Sequence, residues 1–125
     1  MNTGLKHTSQ LTVSDCHLAC HLGSGDLEVL ATPAMLALME NAAMLAVAPE
    51  LEPGQGTVGS HIESSHLAPS PLGATITATA ELTSIEGRKL SFHVCAFDGD
   101  RLIGEGSHTR FIIDRERFMK KLSER

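Results

Sequence analysis

Aromatic residues are scarce in this chain of 125 residues, which contains four Phe and no Trp or Tyr. Proteins that bind single-stranded nucleic acids stack the bases on aromatic rings, and antibody-like binding surfaces are rich in Tyr, so the shortage argues against both classes. Cysteine is also sparse, and the three residues present form no disulfide framework. No apolar run reaches the roughly 18 residues of a membrane span, and the N-terminus has no secretory leader pattern. We therefore expect a cytoplasmic protein that neither binds nucleic acid nor spans a membrane.

The residues that are present fit one folded domain over residues 1–125. Hydrophobic residues make up 42% of the sequence, enough for a core, and the shortage of rings predicts that this core is aliphatic. The net charge of −5 has the wrong sign for a protein that binds a nucleic-acid backbone. Residues 1–87 carry nine acidic side chains and one basic one, whereas residues 88–125 carry nine basic and six acidic ones. The basic part is either an ordinary solvated surface or a patch for an anionic ligand.

One segment predicts a helix that is buried on most sides. Thr32 followed by Pro33 indicates a helix start, since Thr is a good N-cap and Pro is tolerated at the first helical position. The helix should end at Val47 or Ala48, because Pro49 cannot continue it. The residues between are apolar almost all the way round, whereas a surface helix shows one apolar stripe. At about 15 residues the helix is too short to span a membrane, so we expect it at the centre of the core.

The remaining segments predict an antiparallel sheet that covers this helix. They alternate apolar and polar residues and are separated by turn residues, and Asp114 is expected to cap a short terminal helix. An antiparallel β-sheet wrapped around one long central helix is the hotdog fold, in the α+β class. We expect the four later strands to form a meander, and the open sheet edge to favour a homodimer, with a tetramer as the alternative. The predicted strands are residues 5–13, 57–66, 74–85, 89–97 and 102–113.

Two polar residues stand out against these apolar segments. Glu40 lies in mid-helix, where it faces either a narrow strip of solvent or an apolar pocket in which the carboxylate acts as a base or nucleophile. His66 ends the 57–66 strand on the face that should meet the helix. Histidine is the usual acid–base group near pH 7, although an isolated histidine is more often structural. Strict alternation places Gly59 and His61 together on the opposite, outer face.

Thr32 is the third candidate, because its predicted N-cap role is compatible with catalysis. Free amide groups at a helix N-terminus can hold an oxyanion. Thr32 and Glu40 are eight residues apart, which is roughly 12 Å along a helix, so they cannot bond directly within it. Either the substrate spans them, or two chains each contribute part of one site.

The pairs Cys16–His17 and Cys20–His21 are a candidate metal site, because Cys and His are common metal ligands. Three residues separate the two cysteines, and no second cluster follows, so the spacing does not match a zinc or haem motif. Packing within a loop is the alternative interpretation. We predict no metal ion and no other cofactor.

Four parts of the chain form a recognisable set. They are the Thr32-Pro33 helix start with Glu40 eight residues on, the stretch Glu52-Pro-Gly-Gln-Gly-Thr-Val-Gly, the stretch Ser-His66-Leu-Ala-Pro-Ser-Pro-Leu-Gly, and the stretch Ile-Gly-Glu-Gly-Ser-His-Thr-Arg110. Together they resemble the fluoroacetyl-CoA thioesterase-like family of hotdog acyl-CoA thioesterases. The resemblance covers roughly residues 13–118.

This resemblance implies a thioester hydrolase that acts on acyl-CoA as a homodimer, without a metal, with its acyl pocket at the subunit interface. The family's catalytic threonine, glutamate and histidine fall on Thr32, Glu40 and His66. Gly59 matches the family's glycine beside the pocket, where the missing side chain leaves room for the thioester. Arg110 matches the late-strand arginine, for which we expect structural or polar support of the substrate site. The resemblance does not carry the identity of the acyl group.

Two other functions remain open at this point. One is a non-catalytic hotdog protein that binds acyl-CoA as a sensor or carrier, which the three polar candidates disfavour. The other is a hotdog dehydratase acting on a 3-hydroxyacyl thioester, which the absence of the hydratase-type Asp and His arrangement disfavours. For a CoA thioester, the basic side chains near the C-terminus could meet the phosphates: Arg88, Lys89, Arg115, Arg117, Lys120 and Lys121.

Overall fold

The central helix, α2, spans Thr32–Val47 in the computed structural model, which describes all of residues 1–125. Its predicted position in the core is confirmed, because eight of its residues are buried: Ala34, Met35, Leu38, Met39, Ala42, Ala43, Ala46 and Val47. The N-cap prediction is wrong. Ala31 is the N-cap, and Thr32 is the first helical residue and makes no capping hydrogen bond. Pro49 lies in a short turn that ends the helix, as predicted.

The sheet has five antiparallel strands, which are β1 (Lys6–Thr12), β2 (Gln55–Ser64), β3 (Thr75–Glu86), β4 (Lys89–Asp98) and β5 (Arg101–Asp114). Their order in the sheet is β1-β3-β4-β5-β2. The prediction of a four-strand meander is correct only for β3, β4 and β5, because β2 pairs with β5 and not with β3. Hydrophobic alternation identifies strands but not their neighbours, and β2 pairs with residues of β5 that are far apart from it in sequence.

The segment between β2 and β3 explains this order. Leu67 donates a backbone hydrogen bond to Ile103 of β5, so the chain still follows β5 just after β2 ends. Ser70 then accepts from Leu30 beside the start of α2, and Gly73 donates to Val13 at the end of β1. The segment therefore passes the N-terminal end of α2 and connects β2, at one edge of the sheet, to β3, which lies next to the opposite edge strand β1.

The core between α2 and the sheet is aliphatic, as predicted. Of its 23 buried residues only Phe92 is aromatic. Alanines at Ala78 and Ala80 of β3 and Ala96 of β4 are fully buried. Because these side chains are small, they leave room for the helix against the centre of the sheet. None of the helices combines the length and the apolar character needed to cross a membrane.

Strand β2 contains a bulge that changes which of its residues face the helix. Gly59 pairs with Arg110 and His61 pairs with Thr109, so Ser60 is an extra residue on β2. The bulge reverses the alternation, and Gly59 therefore faces inward beside Arg110 whereas His61 faces outward. The prediction that Gly59 and His61 share the outer face is wrong for this reason.

Two short helices complete the fold. Helix α1, Ala19–Leu22, precedes α2, and helix α3, Arg115–Ser123, follows β5. The predicted cap of α3 is confirmed, because a carboxylate oxygen of Asp114 accepts a hydrogen bond from the backbone N–H of Arg117 at 3.0 Å.

Candidate active site

Thr32 and His66 meet at the N-terminal end of α2. The hydroxyl oxygen of Thr32 lies 2.7 Å from Nδ1 of His66. His66 lies two residues beyond the end of β2 rather than within the strand as predicted. The backbone hydrogen bonds of its neighbours Ser65 and Leu67 to β5 hold it in place. The structure thus supplies a hydroxyl partner for this histidine, and its catalytic role stays a prediction.

The other ring nitrogen of His66 is available for chemistry. Nε2 is buried and has no hydrogen-bond partner. Burial lowers the pKa of His66 from its ordinary value, so the imidazole is neutral at pH 7 and can accept a proton. Thr32 and His66 both line a cavity of about 310 Å³. Its other lining residues are Ala19, Ser24, Val29, Leu30, Ala31, Leu67, Ala68 and Pro69.

Glu40 lies two turns further along α2 and is not enclosed by its own chain. Its side chain is 43% exposed, and a carboxylate oxygen lies 3.8 Å from Nη1 of Arg110. Of the two alternatives that the sequence left open, contact with solvent is found, whereas the apolar pocket is replaced by a buried cation beside the carboxylate.

Arg110 is held rigidly behind Glu40. Its side chain is only 8% exposed. Nε donates to the Thr57 hydroxyl at 2.8 Å, and Nη2 donates to the Thr57 carbonyl at 2.9 Å. Burial lowers the pKa of Arg110 and the Glu40 carboxylate opposes this effect, and a guanidinium stays protonated in proteins. Arg110 is therefore a fixed positive charge beside the carboxylate.

His108 belongs to the same group, although the sequence analysis did not select it. Its Nδ1 lies 2.7 Å from the His61 carbonyl, and its Nε2 lies 3.2 Å from Nη1 of Arg110. A carbonyl only accepts and a guanidinium only donates, so Nδ1 carries the proton and Nε2 does not. Burial is the largest cause of the lowered pKa of His108; the hydrogen bond to His61 opposes it and the charge of Arg110 adds to it. The sequence contained one signal for His108: it is two residues from Arg110 on a predicted strand, and residues two apart on a strand share a face.

Gly59 leaves room for this group. A Cβ atom at Gly59 would lie 2.9 Å from a carboxylate oxygen of Glu40, 3.1 Å from Cε1 of His108 and 3.3 Å from Nη1 of Arg110. The inward position created by the bulge therefore suits a residue without a side chain. Strict alternation of side chains along β2 would place Gly59 on the outer face, so the sequence pattern alone did not predict this inward position.

One chain thus contains two separate polar groups. Thr32 pairs with His66 at the start of α2, and Glu40 pairs with Arg110 beside Gly59. No hydrogen bond or ion pair joins the two groups. The structure brings together the predicted residues in these two sets and does not bring all of them to one point within a single chain.

The four residues of the two Cys–His pairs do not converge. Cys16 and Cys20 are exposed, and Nδ1 of His17 accepts a hydrogen bond from the backbone N–H of Ser14 at 3.0 Å. No group of three or more His, Cys, Asp or Glu side chains has the geometry to hold a metal ion. Cys20 and His21 lie in helix α1 rather than in a loop, and the absence of a bound metal stays a prediction.

Comparison with known proteins identifies the relatives of this chain. The family described as "Fluoroacetyl-CoA-specific thioesterase" matches residues 13–116. The fluoroacetyl-CoA thioesterase of Streptantibioticus cattleyicolor is 49% identical over 98 residues, which cover 78% of this chain and 70% of that protein.

Solved structures show the same fold. A mutant of the fluoroacetyl-CoA thioesterase FlK in complex with acetyl-CoA superposes with a TM-score of 0.93 at 41% identity, covering 99% of this chain and 98% of that chain. A hot-dog-like protein from Thermanaerovibrio acidaminovorans, 23% identical, superposes with a TM-score of 0.89 and covers 99% and 92% of the two chains. Fold and relatives together define a thioester hydrolase with the hotdog fold, which confirms the predicted fold class and enzyme class. Within this class, the chain belongs to the fluoroacetyl-CoA-specific thioesterase family.

Proposed function

We propose that this protein hydrolyses a small acyl-CoA thioester to the free acid and coenzyme A. The observation that carries the proposal is the Thr32–His66 hydrogen bond at the wall of a cavity, with a neutral, unpartnered imidazole nitrogen on His66. The relative that was solved with acetyl-CoA supports a substrate of this class. A cytoplasmic location stays a prediction.

The proposed roles follow from the chemistry of each side chain. Glu40 either removes a proton from the attacking water, or attacks the thioester carbonyl itself to form a mixed anhydride that water then hydrolyses. The neutral imidazole of His66 takes up a proton from water at Nε2 and passes it to the departing thiolate of coenzyme A. The hydroxyl and the backbone N–H of Thr32 stabilise the negative charge that develops on the carbonyl oxygen, since Pro33 has no N–H and those of Ala34 and Met35 already donate to Ala31. Arg110 orients the carboxylate, and the missing side chain at Gly59 leaves room for the carboxylate and the substrate.

We further propose that the working site forms between two copies of the chain. Thr32 is exposed and Glu40 is 43% exposed, so each can meet a group from a second chain. Strand β2 is at the edge of the sheet, where its free backbone groups are open to a partner. A homodimer in which Glu40 of one chain faces Thr32 and His66 of the other would unite the two polar groups.

Hydrolysis of a panel of short acyl-CoA substrates, followed with a thiol reagent, tests the activity. Glu40→Gln and His66→Ala should each lower kcat by roughly 2–4 orders of magnitude. His61→Ala is the matched control, because this exposed histidine lies on the outer face of the same region and should leave kcat unchanged. A loss below tenfold in both site variants would refute the assigned roles. Binding of acyl-CoA without thiol release by the wild-type protein would favour a carrier instead.

Mixing two inactive variants tests the shared site. Glu40→Gln chains and His66→Ala chains would be unfolded together and refolded at equal concentration. If each site takes Glu40 from one chain and His66 from the other, mixed dimers contain one intact site, and about a quarter of the wild-type activity should return. If each site belongs to a single chain, mixing restores nothing.

A further inference from the structure

All three guanidinium nitrogens of Arg110 are hydrogen-bonded, and none of these bonds goes to Glu40. Nε and Nη2 donate to the hydroxyl and the carbonyl of Thr57. Nη1 donates to Nε2 of His108 at 3.2 Å and lies 3.8 Å from a carboxylate oxygen of Glu40. The second of these distances is too long for a hydrogen bond. The cation therefore attracts the Glu40 carboxylate by its charge, while its N–H groups are bonded elsewhere.

A direct hydrogen bond between Arg110 and Glu40 lies within easy reach. Bonds between a guanidinium and a carboxylate are roughly twice as strong as bonds between neutral groups and measure about 2.8 Å, so an approach of about 1 Å would form one. The Glu40 side chain is 43% exposed and has room to make this movement. The imidazole of His108 is the acceptor that competes with Glu40 for Nη1.

The surroundings of His108 fix it as an acceptor for Arg110. Its Nδ1 donates to the His61 carbonyl at 2.7 Å, which leaves the lone pair of Nε2 facing Nη1. His108 is only 1% exposed, so bulk water does not compete for Nε2, and the ring of Phe92 lies 6.1 Å away between centroids. Burial, the largest cause, lowers the pKa of His108, so the imidazole is neutral at pH 7.

We propose that His108 is a positioning residue for the hydrolysis: by holding Nη1 of Arg110, it keeps the Glu40 carboxylate free to act on the substrate. This inference rests on the proposed function, because it requires Glu40 as the base or nucleophile. A carboxylate that accepts a charged hydrogen bond is a weaker base, since the bond stabilises its ionised form. The bond would also draw the carboxylate toward the sheet, and a misplacement of about 1 Å can cost a hundredfold in rate.

Two variants that differ by one methylene group test this role. His108→Asn places its amide where Nδ1 was, so it can keep the bond to the His61 carbonyl but does not reach Arg110. His108→Gln is longer, and its amide oxygen can accept from Nη1. His108→Asn should lower kcat roughly tenfold and leave KM unchanged, whereas His108→Gln should retain most of the wild-type kcat. His93→Asn is the matched control, because this exposed histidine lies on the outer face of the sheet and should leave both constants unchanged.

The same substitution in a Glu40→Gln background shows whether His108 acts through Glu40. There His108→Asn should cause no further loss of kcat, because the carboxylate that it protects is already absent. An equal loss in both backgrounds would mean that His108 only stabilises the fold, and would overturn the inference. A wild-type kcat in His108→Asn would overturn it too, as would a loss in His108→Gln as large as that in His108→Asn.

Two further measurements need no activity. In a crystal structure of His108→Asn, Nη1 of Arg110 should lie within about 3 Å of a Glu40 carboxylate oxygen, and an unchanged separation would overturn the inference. Nitrogen NMR of the wild type, which does not depend on a variant that folds, should find the His108 proton on Nδ1. A proton on Nε2 at pH 7 would leave Nη1 without its acceptor and would overturn the inference as well. Failure of the proposed function has a different signature, because Glu40→Gln alone would then keep the wild-type kcat.

Discussion

Nη1 of Arg110 donates a hydrogen bond to Nε2 of His108 at 3.2 Å, so a buried cation is bonded to a neutral imidazole. The His61 carbonyl accepts a hydrogen bond from the N–H group at Nδ1 of the same imidazole at 2.7 Å. Protonation of Nε2 would break the bond to Arg110 and place two positive charges side by side. His108 therefore supports the group behind Glu40 only while it remains neutral.

The stability of the fold should depend on the protonation of His108. Its pKa is lowered from the ordinary value of 6.5, so below about pH 6.5 the unfolded chain binds a proton that the folded chain does not. The free energy of unfolding should be highest above this pH and should fall as the pH decreases, by up to about 1.4 kcal/mol per pH unit from this one residue. Urea unfolding between pH 8 and pH 5 measures the effect.

His108→Gln is the control for this effect, because glutamine both donates and accepts hydrogen bonds but does not titrate. The variant should be less stable than the wild type at pH 8, and the difference should shrink as the pH falls. A difference that stays constant from pH 8 to pH 5 would show that folding does not lower the pKa of His108.

Gly59→Ala should impair catalysis more than folding. The added Cβ would conflict with the end of the Glu40 side chain, which is flexible and can move aside. Stability should fall by no more than about 1–3 kcal/mol, whereas displacement of the carboxylate should lower kcat by about a hundredfold. Steady-state kinetics and thermal unfolding check the two effects. Ser60→Ala, at the exposed neighbouring position, should change neither, and an unaltered kcat in Gly59→Ala would contradict the placement of Glu40 beside Gly59.

Arg110→Lys should show that geometry matters as well as charge. Lysine keeps the positive charge but cannot form the paired hydrogen bonds with Thr57. We expect the free energy of unfolding to fall by about 1–3 kcal/mol and kcat to fall with it. Thr57→Val removes only the hydroxyl partner and should have a smaller effect on both. Wild-type kinetics in Arg110→Lys would indicate that Arg110 acts only through its charge.

Thr32→Val should lower the stability only slightly, because Thr32 is exposed, does not cap α2 and loses one hydrogen bond, the one to His66. The expected decrease in the free energy of unfolding is about 0.5–1 kcal/mol. The kcat value should fall by about 10²–10³ if the hydroxyl contributes to the oxyanion site. Thr32→Ser keeps the hydroxyl and should retain most of the activity. An unchanged kcat in Thr32→Val would contradict the role of the hydroxyl in the oxyanion site.

Local sequence signals predicted the elements well. The apolar segment before Pro49 fixed helix α2, and the alternation and turn residues fixed β3, β4 and β5. The pairing of β2 with β5 and the bulge at Ser60 could not be predicted, because both depend on contacts between residues far apart in sequence. The bulge in turn determines which face of the sheet Gly59 lies on. Glu40 and His66 stood out as polar residues in apolar surroundings, and Thr32 was selected as the predicted start of the helix. His108 was not selected, because its role depends on a hydrogen bond to Arg110 that only the folded chain forms.

The absence of Trp and Tyr from the chain also has a spectroscopic consequence. The protein itself contributes almost no absorption or fluorescence in the near ultraviolet. A tryptophan at Leu67, which is 59% exposed and lines the cavity beside His66, would be the only strong fluorophore in the molecule. Its emission would report occupation of that cavity directly, in real time and without a labelled substrate.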